Sequence, residues 1–110
     1  MLKDDTLEIE PLQAQFRPAN SSPTDTELFR TIQTVVAKHH PGVPVTSRML
    51  SGYTECGIFR QLGIHCYGFE PFLLNRAESA TVHGDNERVS VDNVRNGLRL
   101  FYEVVERTVR

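Results

Sequence analysis

The chain has 110 residues and a mass of 12.5 kDa, which is enough for one small core and too little for two domains. Twelve basic residues against 14 acidic ones give a formal net charge of -2, so no overall positive field favours nucleic acid or an anionic membrane surface. No apolar run approaches the ~20 residues of a membrane-spanning helix. The amino terminus turns acidic at Asp4 and lacks the pattern of a signal peptide, which predicts a cytoplasmic protein.

The two cysteines, Cys56 and Cys66, lie in one short stretch without the CxxC spacing of a thiolate zinc site. We expect both to be reduced and packed, because free cysteine is among the most buried residue types. Chemistry at these thiols is the less favoured alternative.

The first segments of the chain predict a strand and a linker. Residues 7–10 alternate apolar and acidic side chains before Pro11, which is typical of a half-exposed edge strand. Residues 17–23 contain two prolines and several small polar residues, which is typical of an extended linker and marks a candidate domain boundary.

A helix is predicted over residues 25–40. Thr24 and Glu27 have the spacing of a capping box, and Pro41 with Gly42 ends the pattern. Four apolar residues recur on one face of this helix, namely Leu28, Ile32, Val35 and Val36. The helix is therefore expected to pack that face against the core.

The middle of the chain predicts a strand, a short helix and a second strand. Residues 43–49 are rich in β-branched side chains, and residues 64–69 form the second strand pattern. Between them, Thr54 is expected to cap a short helix that Gly63 closes in a left-handed conformation. This order predicts a right-handed βαβ crossover with parallel strands.

A long aperiodic stretch, residues 72–88, precedes a final helix capped by Ser90. That helix is predicted to have one apolar stripe, which consists of Val94, Leu98, Phe101, Val105 and Thr108. Leu100 and Val104 are expected to widen it. The predicted fold class is α/β, a small parallel or mixed sheet with packed helices.

Two polar stretches are candidate sites. Residues 51–56 lead from a predicted strand into a helix, where free N–H groups suit a carboxylate or phosphate, although an ordinary helix cap explains them as well. Residues 81–88 contain His83, which has the chemistry of a metal ligand or an acid–base group, with simple solvation as the alternative. Asp85 and Glu87 lie nearby, but a complete zinc site needs three or four converging ligands.

Four short motifs carry a resemblance to a known family. They read SGYTECGIFR over residues 51–60, LGI over 62–64, GFEP over 68–71 and HGDNERV over 83–89. In order and spacing they resemble the carboxyl-terminal part of the zinc aminoacylase, carboxypeptidase-G and succinyl-diaminopimelate desuccinylase family of metallopeptidases.

The resemblance implies roles for five residues. His83 matches the last metal ligand of a two-zinc centre, so zinc is the implied cofactor. Gly52 and Thr54 match a turn that meets the substrate, and Asn86 and Glu87 match residues that orient the loop of His83. The fold implied is the closing part of a zinc-exopeptidase catalytic domain.

Three positions depart from the family pattern. Tyr53 replaces a second glycine, Glu55 replaces an aspartate, and Glu70 replaces a glycine. Tyr53 would crowd the substrate turn. These changes are expected to alter specificity, with a change in activity as a further consequence.

Relatives of this kind are several times longer, and their other zinc ligands and catalytic glutamate lie in an amino-terminal half that has no counterpart here. The expected organisation is therefore a leftover edge strand from a lid domain over residues 1–17 and part of a catalytic α/β domain over 18–110.

The expected function is that of a fragment of a zinc-dependent amidohydrolase that cleaves an amide next to a carboxylate and is inactive alone. The alternative is a non-catalytic assembly module of the same descent. Either is expected to form homo-oligomers, most simply a two-fold dimer, through its apolar helix faces.

Overall fold

The structure, a computed structural model, describes residues 6, 19–50 and 52–110, and its regular elements in these ranges are helices. In chain order they are α1 (Glu27–His39), α2 (Cys56–Gln61), α3 (Arg76–Ser79) and α4 (Val91–Thr108). The edge strand predicted for residues 7–10, and with it most of the predicted segment 1–17, lies outside the described residues. None of these four helices is long and apolar enough to cross a membrane.

Helix α1 forms where its sequence predicts it, with a different capping residue. The hydroxyl of Thr26, rather than Thr24, accepts a hydrogen bond from the backbone N–H of Phe29 at 3.2 Å. The helix ends at His39, and Gly42 then adopts a φ of 84°, a left-handed conformation that favours glycine. Thr26 satisfies one of the free N–H groups of the first turn.

Helix α4 packs against α1 and forms the core with it. Ser90 caps α4 as predicted, accepting from the N–H of Asn93 at 3.3 Å. The core cluster consists of Ile32, Val35, Val36, Leu100 and Val104. Val35 is fully buried, so the center of the fold lies between the two helices.

The predicted apolar stripe of α4 does not face this core. Five apolar residues at spacings of three and four lie exposed along α4, namely Val91, Val94, Leu98, Phe101 and Val105. The buried residues of the same helix are Gly97, Leu100 and Val104. The residues expected only to widen the stripe therefore make the core, and the stripe itself forms a second apolar face.

The predicted α/β fold with a sheet is wrong, because the described residues contain no strand. Residues 43–49 and 64–69, the two proposed strands of a βαβ crossover, run without regular secondary structure. Val43, Met49 and Ile64 are about half exposed or more. A β-branched pattern predicts strand tendency, but a strand also needs a second strand to pair with, and these segments have none among the described residues.

Candidate functional site

The first candidate segment is the turn that precedes α2. Gly52 and Thr54 both lie exposed there. The N-cap of α2 is Glu55, whose side chain makes no capping hydrogen bond, so the expectation that Thr54 caps this helix is wrong. The Thr54 carbonyl instead accepts from the N–H of Gly57 at 3.2 Å. Gly63 closes the helix with a φ of 79°, as predicted.

A disulfide joins Cys56, the first residue of α2, to Cys66. Their Cα atoms are 5.3 Å apart, which lies within the ordinary range for such a bond. The expectation of two reduced thiols is therefore wrong. It failed because the spacing in sequence does not reveal that the chain reverses at Gly63 and brings the two side chains together.

Cys66 is also the center of a hydrogen-bond network. The Ser22 hydroxyl accepts from the Cys66 N–H at 2.9 Å and lies 3.0 Å from the Cys66 carbonyl. The Arg60 guanidinium donates to the same carbonyl through Nε at 3.0 Å and Nη2 at 2.6 Å. Arg60 also donates to Asn20 and Ser22, so the linker, α2 and residue 66 form one connected unit.

The second candidate segment, the loop that contains His83, is anchored on α4. The Asn93 side chain accepts from the Leu73 N–H at 2.9 Å and donates to the Leu73 carbonyl at 3.0 Å. One turn further along α4, Gly97 lies against Phe72 and Pro71, where an added Cβ would lie 2.7 Å from the Phe72 ring. Residues 71–72 therefore approach α4 so closely at Gly97 that a larger residue there would force them to shift.

Glu78 joins the two ends of this loop, a role that the sequence analysis did not assign to it. Its carboxylate accepts from the backbone N–H groups of Asn75 at 3.0 Å and of Ser90 at 2.8 Å. These hydrogen bonds, that from Asn75 foremost, hold the pKa of Glu78 below its usual range. The capping-box spacing of Asn75 and Glu78 is the sequence signal for the start of α3. It lies within residues 72–88, the stretch predicted to be aperiodic.

His83 lies exposed in the turn that follows α3. Its φ of 60° and the φ of 58° at Asn86 are both left-handed. The turn closes through the N–H of Gly84, which donates to the Thr81 carbonyl at 2.9 Å. Arg88 then donates to the Asn86 carbonyl at 3.1 Å. His83 is therefore outside the core, on a short turn that the Glu78 hydrogen bonds enclose.

The candidate residues stay in two separate networks. No hydrogen bond, ion pair or disulfide between described residues joins the turn of Gly52 and Thr54 to the loop of His83, Asn86 and Glu87. Within those same residues, no three His, Cys, Asp or Glu side chains come together in a way that could hold a metal ion. The described residues thus do not fit a complete zinc site, which needs at least three protein ligands.

A third polar cluster joins α1 to α4. The Glu103 carboxylate contacts Lys38 at 2.9 Å, His39 at 2.7 Å and Arg107 at 2.7 Å. The hydrogen bond from Lys38, followed by that from His39, lowers the pKa of Glu103 to about 2. This cluster ties the last turn of α1 to α4 at the end of their interface.

The sequence pattern of peptidase family M20/M25/M40 matches residues 5–107, nearly the whole chain. The chain therefore belongs to this peptidase family. The resemblance to a family of metallopeptidases is confirmed at this level.

Several curated relatives are similar over almost all of this chain. A probable carboxypeptidase S-like protein 2 of Dictyostelium discoideum is 22% identical over 98% of this chain and 21% of its own length. The N-fatty-acyl-amino acid synthase/hydrolase PM20D1 of Xenopus tropicalis is 26% identical over 96% of this chain and 20% of its own. The human protein of that name is 27% identical over 96% of this chain and 22% of its own length. The chain thus spans about a fifth of the length of these relatives, and no solved structure matches it.

Proposed function

We propose that this chain is the carboxyl-terminal segment of a zinc-dependent M20 hydrolase that cleaves an amide next to a carboxylate. The observation that carries the proposal is the family match over residues 5–107 in a chain that spans about a fifth of its relatives. The relatives are named for N-fatty-acyl amino acids and for a carboxypeptidase. In an N-acyl amino acid the amide lies next to a carboxylate, which supports this substrate class.

The exposed apolar surface supports the view that the chain is a segment of a larger domain. Six apolar residues are buried in the described part of the chain, whereas eighteen large apolar residues there are exposed. Leu98, at 66% exposed, and Phe101, at 48%, lie in the middle of the α4 stripe. Contiguous apolar surface of this kind normally packs against another part of a protein. The remaining part of an M20 hydrolase domain would cover it.

Within this proposal the two networks bring different groups to the site. The turn of Gly52 and Thr54 contacts the substrate, and His83 contributes one ligand to zinc, which supplies a Lewis acid when bound. Asn86 and Glu87 shape the turn of His83. Because the described residues do not fit a complete zinc site, we expect this chain to be inactive alone.

The proposal is tested with a chimera in which this chain replaces the matched fifth of human PM20D1. We expect His83→Ala to lower the zinc content of the chimera by about one ion, because affinity depends on the full set of ligands. His65→Ala is the matched control, since His65 is also exposed and lies beside Cys66 in the other network. Equal zinc content in the chimera and its His83→Ala variant would contradict the role of His83.

A non-catalytic assembly module is the second candidate function, and the exposed α4 stripe is the observation that favours it. In that case the stripe would pack against a second copy in a two-fold dimer. The two candidate functions differ at position 83. The hydrolase needs His83 as a zinc ligand, whereas an assembly module needs no particular residue there. The zinc content of the chimera separates them.

A further inference from the structure

We propose that the Cys56–Cys66 disulfide is a redox-sensitive brace that keeps α2 and the turn before it folded. The bond ties the first residue of α2 to residue 66, ten positions further along the chain. Gly52 and Thr54 lie immediately before this attachment point. The inference concerns the order of this segment and does not depend on the proposed function.

Helix α2 is too short to be stable without an attachment. It contains six residues, none of them buried, and the side chain of its N-cap, Glu55, makes no capping hydrogen bond. Isolated helices shorter than about 12–15 residues are marginal in water, and most helical stability in proteins comes from packing an apolar face. Packing supplies little here, so the segment depends on the bonds that tie its ends to the rest of the fold.

The two ends of α2 are held differently. At the carboxyl end, the Arg60 guanidinium donates two hydrogen bonds to the Cys66 carbonyl. At the amino end, one exposed hydrogen bond between described residues supports the disulfide, from the Asn20 side chain to the Gly57 carbonyl at 3.0 Å. Cleavage of the disulfide therefore leaves the first turn, and the Gly52–Thr54 segment before it, with weak support.

A dithiol reductant would open the brace by ordinary exchange. One thiolate attacks a sulfur of the pair, forms a mixed disulfide and releases the other cysteine as a thiolate. The second thiolate of the reductant then displaces the remaining cysteine, so the dithiol is oxidised to a disulfide while Cys56 and Cys66 gain two electrons and two protons. Disulfides persist in oxidising compartments and are rare in a reducing cytosol, so the order of this turn would depend on where the chain resides.

The test is amide hydrogen exchange of the full chain, followed by mass spectrometry, with and without dithiothreitol. On reduction we expect about a hundredfold faster exchange at residues 57–64, because closure of a loop of this size restricts the open state. Exchange in the middle of α4 should change less than twofold, since the α1–α4 core contains neither cysteine. That difference separates loss of the brace from global unfolding.

The double variant Cys56→Ser/Cys66→Ser should exchange fast at residues 57–64 without reductant and show no response to it. If this variant does not fold, reduction of the native chain decides the question alone. Two results would overturn the proposal. The first is a non-reducing peptide map in which the two cysteines are not linked. The second is unchanged exchange at residues 57–64 after complete reduction.

Discussion

Glu78 and Ser90 close the loop that contains His83, through a 2.8 Å hydrogen bond from the Ser90 N–H to a carboxylate oxygen of Glu78. Ser90 is also the N-cap of α4, so the same residue starts the helix and fixes the end of the loop. The other carboxylate oxygen binds the N–H of Asn75 at the start of α3. One side chain thus sets the distance between the two helix starts on either side of His83.

Glu78→Gln is expected to loosen this loop while α4 stays folded. A carboxamide has one accepting oxygen, so it can satisfy the N–H of Asn75 or that of Ser90 but not both. We expect amide exchange over residues 79–89 to become about tenfold faster, because one of these two partly buried N–H groups loses its acceptor. Asp85→Asn, an exposed change of the same type in the same loop, is the control and should have little effect. Equal exchange in both variants would show that Glu78 does not hold the loop.

The low pKa of Glu103 leads us to expect a lower free energy of unfolding in acid. Its pKa is lowered from 4.5 to about 2 in the folded chain, chiefly by Lys38 and then by His39, with Arg107 adding to the effect. Because the folded pKa is below the unfolded one, the contribution is fully present above about pH 4.5 and is lost as the pH falls toward 2.

Glu103→Gln should therefore remove this part of the acid dependence. Denaturant unfolding, followed by circular dichroism between pH 5 and 2, measures it. Glu106→Gln is the matched control on the same helix, since Glu106 pairs only with the exposed Arg110 among the described residues. If wild type and Glu103→Gln lose stability in parallel below pH 4.5, the Glu103 cluster does not contribute as stated.

Sequence patterns located α1, α2 and α4 but missed α3, and the sheet that they predicted is wrong. The caps and periodicity of α1 and α4 are local signals, and both helices form within about two residues of their predicted bounds. The strand patterns at residues 43–49 and 64–69 require a partner that local sequence does not specify. Periodicity also identified the apolar residues of α4, but it could not tell which of two adjoining stripes would face α1.

The candidate site shows the same limit. Individual residues such as His83 and Gly52 could be selected by motif, because a motif consists of residues in a fixed order along the chain, and their roles stay predictions. The disulfide and the hydrogen bond from Ser90 to Glu78 join residues ten and twelve positions apart across turns, and such contacts depend on the path of the backbone. Turn geometry, including the left-handed residues His83 and Asn86, was therefore beyond the reach of the sequence patterns.

Gly97→Ala is expected to destabilise the chain although alanine is the better helix former. The added Cβ would lie 2.7 Å from the Phe72 ring and 2.9 Å from the Pro71 carbonyl oxygen, which is backbone. Helix propensity favours alanine by about 1 kcal/mol, whereas overpacking costs about 1–3 kcal/mol, so we expect a net loss of up to about 2 kcal/mol. Urea unfolding measures this difference.

Gly57→Ala is the matched control for that substitution. Gly57 is also helical, in α2, but an added Cβ there meets nothing within 4 Å. We expect this variant to be neutral or stabilised by up to about 1 kcal/mol. If Gly97→Ala were as stable as Gly57→Ala, the close approach of residues 71–72 to α4 would not be a constraint on the fold.

Phe101→Glu tests whether the exposed α4 stripe drives association of the isolated chain. Phe101 lies at the middle of the stripe and is 48% exposed, so the substitution adds charge to the apolar face without entering the α1–α4 core. We expect the wild-type chain to self-associate at micromolar concentration, because the stripe is contiguous exposed apolar surface. The variant should sediment as a 12.5 kDa monomer with unchanged helix content.

Arg95→Glu, a charge change at an exposed residue of α4 outside the stripe, should leave association intact. A wild-type chain that is already monomeric across this range, or association that persists in Phe101→Glu, would mean that the stripe is not the interface.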